Sequence, residues 1–287
     1  MHTKAKNSLF SRALHLLDWV AIVIRRNMGR EMIILKFGGS VITDKKMEIP
    51  TINQDNLKRI GSILSKHYQD FIIVHGAGSF GHPIAKKFDL ANGLNSNPNQ
   101  RKAIEETREQ VLELNQILCS DLNKSGIQTK TIIPSQTMKT NGPKSIKEVP
   151  IELFDEGLET GKTPVTFGDV TEDNLQGICI LSGDVIMEEL VKHYKPKMSI
   201  FVMDYPGVFD RNPTDKDAHI IPEVTLQTLK MLKQENTHKG NTDVTGGLVG
   251  KLECAIEMAK HSETWITNLD HLDDFLSGKP RGSRVIS

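Results

Sequence analysis

Four glycine-rich clusters carry the strongest chemical signal in this sequence. They are Lys36-Phe37-Gly38-Gly39-Ser40, His75–His82 (HGAGSFGH), Ser182-Gly183-Asp184 and Asp243–Lys251 (DVTGGLVGK). Glycine lets backbone N–H groups approach an anion with no side chain in the way. A helix that starts just after such a turn adds the positive end of its dipole. One such cluster is most often a plain turn. Four in one chain, each after a strand or before a helix, point to bound phosphate. Three lysines accompany them. Lys36 closes an apolar run, where an ammonium costs free energy unless it meets an anion, although a snorkelling or ion-paired lysine would also fit. Lys251 follows Gly250 at a helix start, where an acid is the better neighbour of the dipole. Lys45 lies nine positions beyond Lys36 and, alone, would pass for a solvated charge. His82 reads as a helix-start histidine able to donate to a phosphate oxygen, and His75 as structural. The carboxylates near loop ends, Asp169, Asp173, Asp184, Asp204 and Asp243, read mostly as caps and turn residues. Asp184 is a cap or a lysine-orienting group.

Two better-known phosphate motifs are incomplete: the first excludes a P-loop NTPase, and the second leaves a Rossmann dehydrogenase as a rival. Gly161-Lys162-Thr163 has the tail of a Walker loop, but Glu156 stands where its first glycine belongs, and a strand follows instead of a helix. Gly76, Gly78 and Gly81 have dinucleotide spacing, yet the stretch Asn95–Arg101, where an acid should end the next strand, is polar and unlike a strand.

These clusters must be held by something. From Met32 onward strand and helix alternate. Ile33–Phe37, Phe71–Val74, Thr129–Ile133, Pro164–Phe167, Cys179–Leu181, Ser199–Met203 and Thr264–Thr267 read as strands. Helical spacing covers Asp55–His67, Gln100–Leu122 (with Ile104, Val111, Leu112, Leu114 and Leu118 inward), the run from Ser182 to about His193, and Gly246–Lys260. Such alternation predicts an α/β fold whose mainly parallel sheet has helices on both faces, with ligands at the carboxyl ends of the strands. The 287 residues suit one domain, 32–287, after an N-terminal extension, 1–31. Leu14–Ile24 in that extension is too short to span a bilayer, and arginines stand where a signal peptide would carry its cleavage site. The extension reads as disordered or as the product of an upstream start, with Met28 or Met32 the functional one. Lys plus Arg and Asp plus Glu number 36 each, so nothing points to nucleic acid or a membrane surface. Three unspaced cysteines argue against a disulfide framework or zinc site and fit a cytoplasmic protein.

At these residues the sequence resembles a family. Ile33–Lys45 (IILKFGGSVITDK) looks like the opening of an amino-acid-kinase-superfamily protein. HGAGSFGH, DVTGGLVGK, Ile180–Asp184 (ILSGD) and Val202–Pro213 (VMDYPGVFDRNP) resemble the archaeal-type isopentenyl phosphate kinases, a likeness that runs from Met32 to the C-terminus. The resemblance implies a three-layer sandwich with an acceptor-binding lobe, about 32–185, and a nucleotide-binding lobe, about 186–287. It implies that Lys36 and Lys45 contact the transferring phosphoryl group and that Gly38, Gly39 and Ser40 wrap the ATP phosphates. Ala77, Gly78, His82 and Gly183 would bind the acceptor phosphate, with Gly78 close to both substrates, and Asp204, Gly247 and Lys251 would serve the nucleotide. ATP and Mg2+ would be the cofactors, isopentenyl phosphate the acceptor, and a homodimer the assembly. The metal would be held mainly by ATP oxygens and water. An apolar pocket for the isoprenoid tail is expected near the helix Gln100–Leu122 and Phe88. The alternatives are a kinase of dimethylallyl phosphate, fosfomycin or another small phosphate or phosphonate, a non-catalytic nucleotide-binding regulatory protein, and an amino-acid kinase.

Overall fold

The structure, a computed structural model, describes residues 32–44, 49–67, 70–239 and 247–287, with backbone alone for 235–239. The N-terminal extension lies outside the described residues. In chain order the strands are β1 (Ile33–Phe37), β2 (Phe71–His75), β3 (Thr129–Thr131), β4 (Lys139–Thr140), β5 (Ile146–Glu148), β6 (Thr163–Phe167), β7 (Asp169–Asp173), β8 (Gly177–Leu181), β9 (Met198–Met203), β10 (Glu223–Val224), β11 (Glu263–Asn268) and β12 (Ser283–Val285). The helices are α1 (Gly39–Ile42), α2 (Gln54–Leu64), α3 (His82–Lys87), α4 (Gln100–Lys124), α5 (Pro134–Thr137), α6 (Ile151–Glu159), α7 (Gly183–Tyr194), α8 (Leu226–Lys239), α9 (Gly247–Met258) and α10 (Leu269–Leu276).

The main sheet runs β10-β12-β11-β9-β1-β2-β6-β3. From β11 to β3 every pairing is parallel, and β12 joins antiparallel to β11. β1 and β2 are buried along their whole length, which is why both are continuous apolar runs and not alternating ones. Side-chain alternation splits β1 between two cores. Ile33, Leu35 and Phe37 pack with Leu57 and Ile60 of α2, Leu114 and Leu118 of α4 and Leu272 of α10. Ile34 packs with Ile186 and Leu190 of α7 and Leu252 and Ala255 of α9. Each fully buried Leu or Ile contributes roughly 1.5–3 kcal/mol of hydrophobic stabilisation. The result is the expected three-layer sandwich.

β1 and β9 are neighbours at the centre. From β1 the chain moves outward to β2, and from β9 it moves the other way to β11. A crevice opens outside the carboxyl ends of the strands where the order of a parallel sheet reverses. A second sheet, β5-β4-β7-β8, stands beside the first; the sequence reading found only its last strand. The strand expected over 129–133 stops at Thr131 because Pro134 opens α5. On α4, Leu112 is half-buried, and Ala103, Thr107, Asn115 and Cys119 join the inward face instead.

Candidate active site

Alternation turns Lys36 toward α7, on the same side as Ile34. Ser182 caps α7, its Oγ accepting from the Asp184 N–H at 3.1 Å, so Ser182 and not Asp184 is the cap. This frees Asp184, in the first turn of α7, to face the sheet. Its Oδ1 lies 2.9 Å from Lys36 Nζ and 2.9 Å from Lys251 Nζ. Lys251 also stands over the Phe201 ring, 5.0 Å from its centroid, and Phe201 is the β9 neighbour of Lys36. Two ammonium groups on one carboxylate leave a buried net positive charge. Burial would raise the Asp184 carboxyl, but Lys251 and Lys36 outweigh it and hold it well below the usual carboxylate range. Burial pushes Lys36 down to about 8; Asp184 pulls it back up and Lys251 pushes it further down. The anion that explains both buried lysines is therefore an internal one, Asp184.

The first two glycine clusters interlock. Gly76 N–H donates to the Phe37 carbonyl at 3.0 Å, and Gly38 N–H to the Val202 carbonyl at 2.9 Å. A Cβ at Gly76 would come within 2.8 Å of Gly39 N, and one at Gly78 within 2.8 Å of the Gly39 carbonyl oxygen. Gly78 has φ +53°, a conformation costly for other residues. Thr43 stitches the two loops: its hydroxyl donates to the Gly39 carbonyl at 2.7 Å and accepts from Ser79 N–H at 3.1 Å. Several of these glycines are thus required by loop-against-loop packing, a reason the sequence reading did not foresee. Among the described residues, no protein group accepts from the N–H of Gly39, Ser40, Ala77, Gly78 or Gly183.

These groups border one cleft of about 280 Å³. Lys36, Gly38, Gly39 and Ser40 line it from β1 and α1, and Ala77, Gly78 and His82 from the loop after β2 and the start of α3. Gly183 and Asp184 line it from α7, Asp204 from the loop after β9, and Gly247 and Lys251 from α9. Every site residue singled out in the sequence lies there except Lys45, which falls outside the described residues, as does Asp243. At one end the cleft turns apolar, bounded by Ala85, Val111, Val170 and Ile180 with Thr107. Phe88 is not among its lining; it packs in a small core with Leu90 and Ile104. Asp169 borders this end. Burial raises its pKa, and it accepts from the N–H groups of Ser135 (3.0 Å) and Val170 (2.8 Å); it opens strand β7 and is not the turn residue expected. The other end is open, with Asp204 and Tyr205 exposed. Such a cleft can hold two anions against a cationic floor, one of them carrying a small apolar tail.

The model of the amino acid kinase family matches residues 31–268. The isopentenyl phosphate kinase of Methanothermobacter thermautotrophicus is 35% identical over 267 residues, covering 88% of this chain and 98% of that protein. A solved isopentenyl phosphate kinase structure superposes with a TM-score of 0.76 at 31% identity, over 88% of this chain and 99% of the other. The fold is shared with the Thermoplasma acidophilum isopentenyl phosphate kinase product complex, with a TM-score of 0.73 at 23% identity over 88% and 99% of the two chains. The chain belongs to the amino acid kinase family and, within it, to the isopentenyl phosphate kinases.

Proposed function

We propose that the chain transfers the γ-phosphoryl group of ATP to isopentenyl phosphate, giving isopentenyl diphosphate and ADP. The observation that carries this is the continuity of one cleft from the Lys36–Asp184–Lys251 triad to a buried apolar end. An oxygen of the acceptor phosphate attacks the γ-phosphorus. The bond from phosphorus to the β,γ-bridging oxygen breaks, and its electron pair leaves with ADP. A phosphate monoester has a second pKa of ~6, so its attacking oxygen is already deprotonated at neutral pH and no general base is required. The obstacle is repulsion, about 4 kcal/mol for two unit charges ~4 Å apart at an effective dielectric near 20. Catalysis then consists of alignment and charge neutralisation.

Lys36 and Lys45 neutralise the moving phosphoryl group. Gly38, Gly39 and Ser40 present backbone donors to the ATP phosphates, and Asp204, Gly247 and Lys251 complete the nucleotide side. Ala77, Gly78 and Gly183 present donors to the acceptor phosphate, and His82 donates from the start of α3. Val111, Val170 and Ala85 receive the tail. Asp184 is committed to two lysines, and no cluster of three metal-ligating residues exists among the described residues. Mg2+ would come with ATP, its ligands mainly phosphate oxygens and water, and would supply further charge neutralisation. Residues 32–185 form the acceptor lobe and 186–287 the nucleotide lobe. A cytoplasmic homodimer completes the reading; no helix among the described residues is long and apolar enough to cross a membrane.

ADP release with ATP, Mg2+ and a panel of isopentenyl phosphate, dimethylallyl phosphate, fosfomycin, glutamate and uridylate tests it. Turnover far higher with isopentenyl phosphate is expected. Turnover confined to another acceptor would discard the named substrate, and ATP binding without turnover would make the chain a regulatory protein.

A further inference from the structure

On the opposite side of the sheet from the triad lies a buried polar chain that phosphoryl transfer does not use. His75 ends β2 and is wholly buried, as is Asn115 of α4. His75 Nδ1 is 3.0 Å from the Gly76 carbonyl oxygen, and its Nε2 is 3.2 Å from Asn115 Nδ2. Asn115 Oδ1 accepts from the Thr131 hydroxyl at 2.8 Å and from the Cys119 thiol at 3.7 Å. The Phe167 ring stacks on the imidazole, with centroids 5.2 Å apart and planes inclined by 26°.

The protons of this chain can be assigned by elimination. A carbonyl oxygen only accepts, so Nδ1 carries the hydrogen. Burial pushes the His75 pKa down to about 4, so the ring is neutral and Nε2 is an acceptor. The Asn115 NH2 group supplies the matching donor, and its carbonyl is fixed in turn by Thr131. The Gly76 carbonyl is therefore drawn into the protein. In a trans peptide the C=O and the following N–H point in opposite directions, and no cis peptide bond is present among the described residues. Drawing the Gly76 carbonyl inward turns the Ala77 N–H outward, where Ala77 borders the cleft.

We propose that Asn115 is a positioning residue for the acceptor: through His75 it fixes the Gly76–Ala77 peptide and aims the Ala77 N–H at the acceptor phosphate. This rests on the acceptor side assigned above.

Asn115→Leu keeps the volume and removes the donor. The KM for isopentenyl phosphate should rise about tenfold, as expected for one misdirected hydrogen bond to a charged group, while kcat and the KM for ATP stay within about twofold. His75→Asn puts an amide nitrogen near the Nδ1 position, where it donates to Gly76 without any tautomer to select. In the Asn115→Leu background it should recover most of the acceptor KM. Nitrogen-15 NMR of the wild type should show the His75 ring protonated at Nδ1 alone. Titration with inorganic phosphate should move the Ala77 amide resonance, and Asn115→Leu should abolish that movement. Protonation at Nε2, equal rises in both KM values, no recovery by His75→Asn, or an Ala77 resonance indifferent to phosphate would each overturn the proposal. A wild type that ignores isopentenyl phosphate in the turnover assay would sink the functional reading instead; the ring tautomer and the phosphate titration then decide the positioning claim. Should Asn115→Leu fail to fold, the same two wild-type measurements decide it.

Discussion

The two faces of the central sheet bury polar groups in contrasting ways. Toward α7 and α9, Lys36, Asp184 and Lys251 form a charged set with one positive charge in excess. Toward α2 and α4, His75, Asn115 and Thr131 form a neutral set in which the groups facing one another are matched donor to acceptor. A buried charge is tolerated when partners offset its desolvation, and an excess of one sign prepares the site for an ion of the other. A closed neutral chain has nothing left to offer a ligand, and instead fixes the backbone it touches. In the proposed reading one face does the chemistry and the other holds the loop still.

The most severe way to break this contrast is Asp184→Asn. Two buried ammonium groups would then face each other without a counter-charge. Denaturant unfolding should show a loss of about 3–5 kcal/mol, as for other broken buried pairs, with turnover largely gone. Full stability would mean that the lysines find other partners. Lys36→Met separates catalysis from stability. Its kcat should fall about 10²–10³-fold, as when one preorganised donor to the transition state is removed, with unfolding free energy unchanged or raised at pH 7 because the burial cost disappears. In the wild type, kcat/KM should decline as pH rises past about 8, where free Lys36 loses its proton; a profile flat to pH 9.5 would remove that lysine from the rate.

The neutral face answers to acid. His75 is held near 4 against an ordinary value of 6.5, so between those values the unfolded chain binds more protons than the folded one. Stability should therefore rise as pH climbs from 4 to 6.5, by on the order of 3 kcal/mol from this residue. Subtracting the profile of His75→Asn from that of the wild type isolates the contribution, and parallel profiles would refute it. The smallest expected effect is at the cleft itself. His82→Gln should raise the KM for isopentenyl phosphate about tenfold and spare that for ATP; equal loss of both would take His82 away from the acceptor.

The sequence made one face far more legible than the other. Lys36 in an apolar strand and glycines after strands are local signals, because a buried charge and a tight turn each conflict with their neighbours in the chain. The partner that resolves the conflict is not local. Asp184 was legible as a cap or lysine-orienting group, but its grip on both lysines depends on α7 and α9 meeting over β1. Asn115 sits 40 residues from His75, and a polar residue in a long helix gives no sign that it faces inward. Thr43 passed unnoticed because a hydroxyl bridging two loops looks like any other threonine. The second sheet was hidden for another reason. β7 (DVTED) reads as a polar turn, yet Asp173 is buried there, accepting from the N–H groups of Gly142, Leu175 and Gln176. The Asp173 hydrogen bonds hold the polar end of that strand, while Val170 packs in an apolar core with Ile178.

The interlocked loops at Gly39, Gly76 and Gly78 act as a gauge block. Main chain rests on main chain, and the Thr43 side chain ties the two loops together, so among the described residues backbone and this one threonine set the gap between the groups assigned to donor and acceptor. Swapping residues elsewhere in the cleft can reshape what is admitted, but the span that the phosphoryl group would cross under the proposed function is held by these two loops. A descendant of this chain could change its clientele far more readily than the length of that jump.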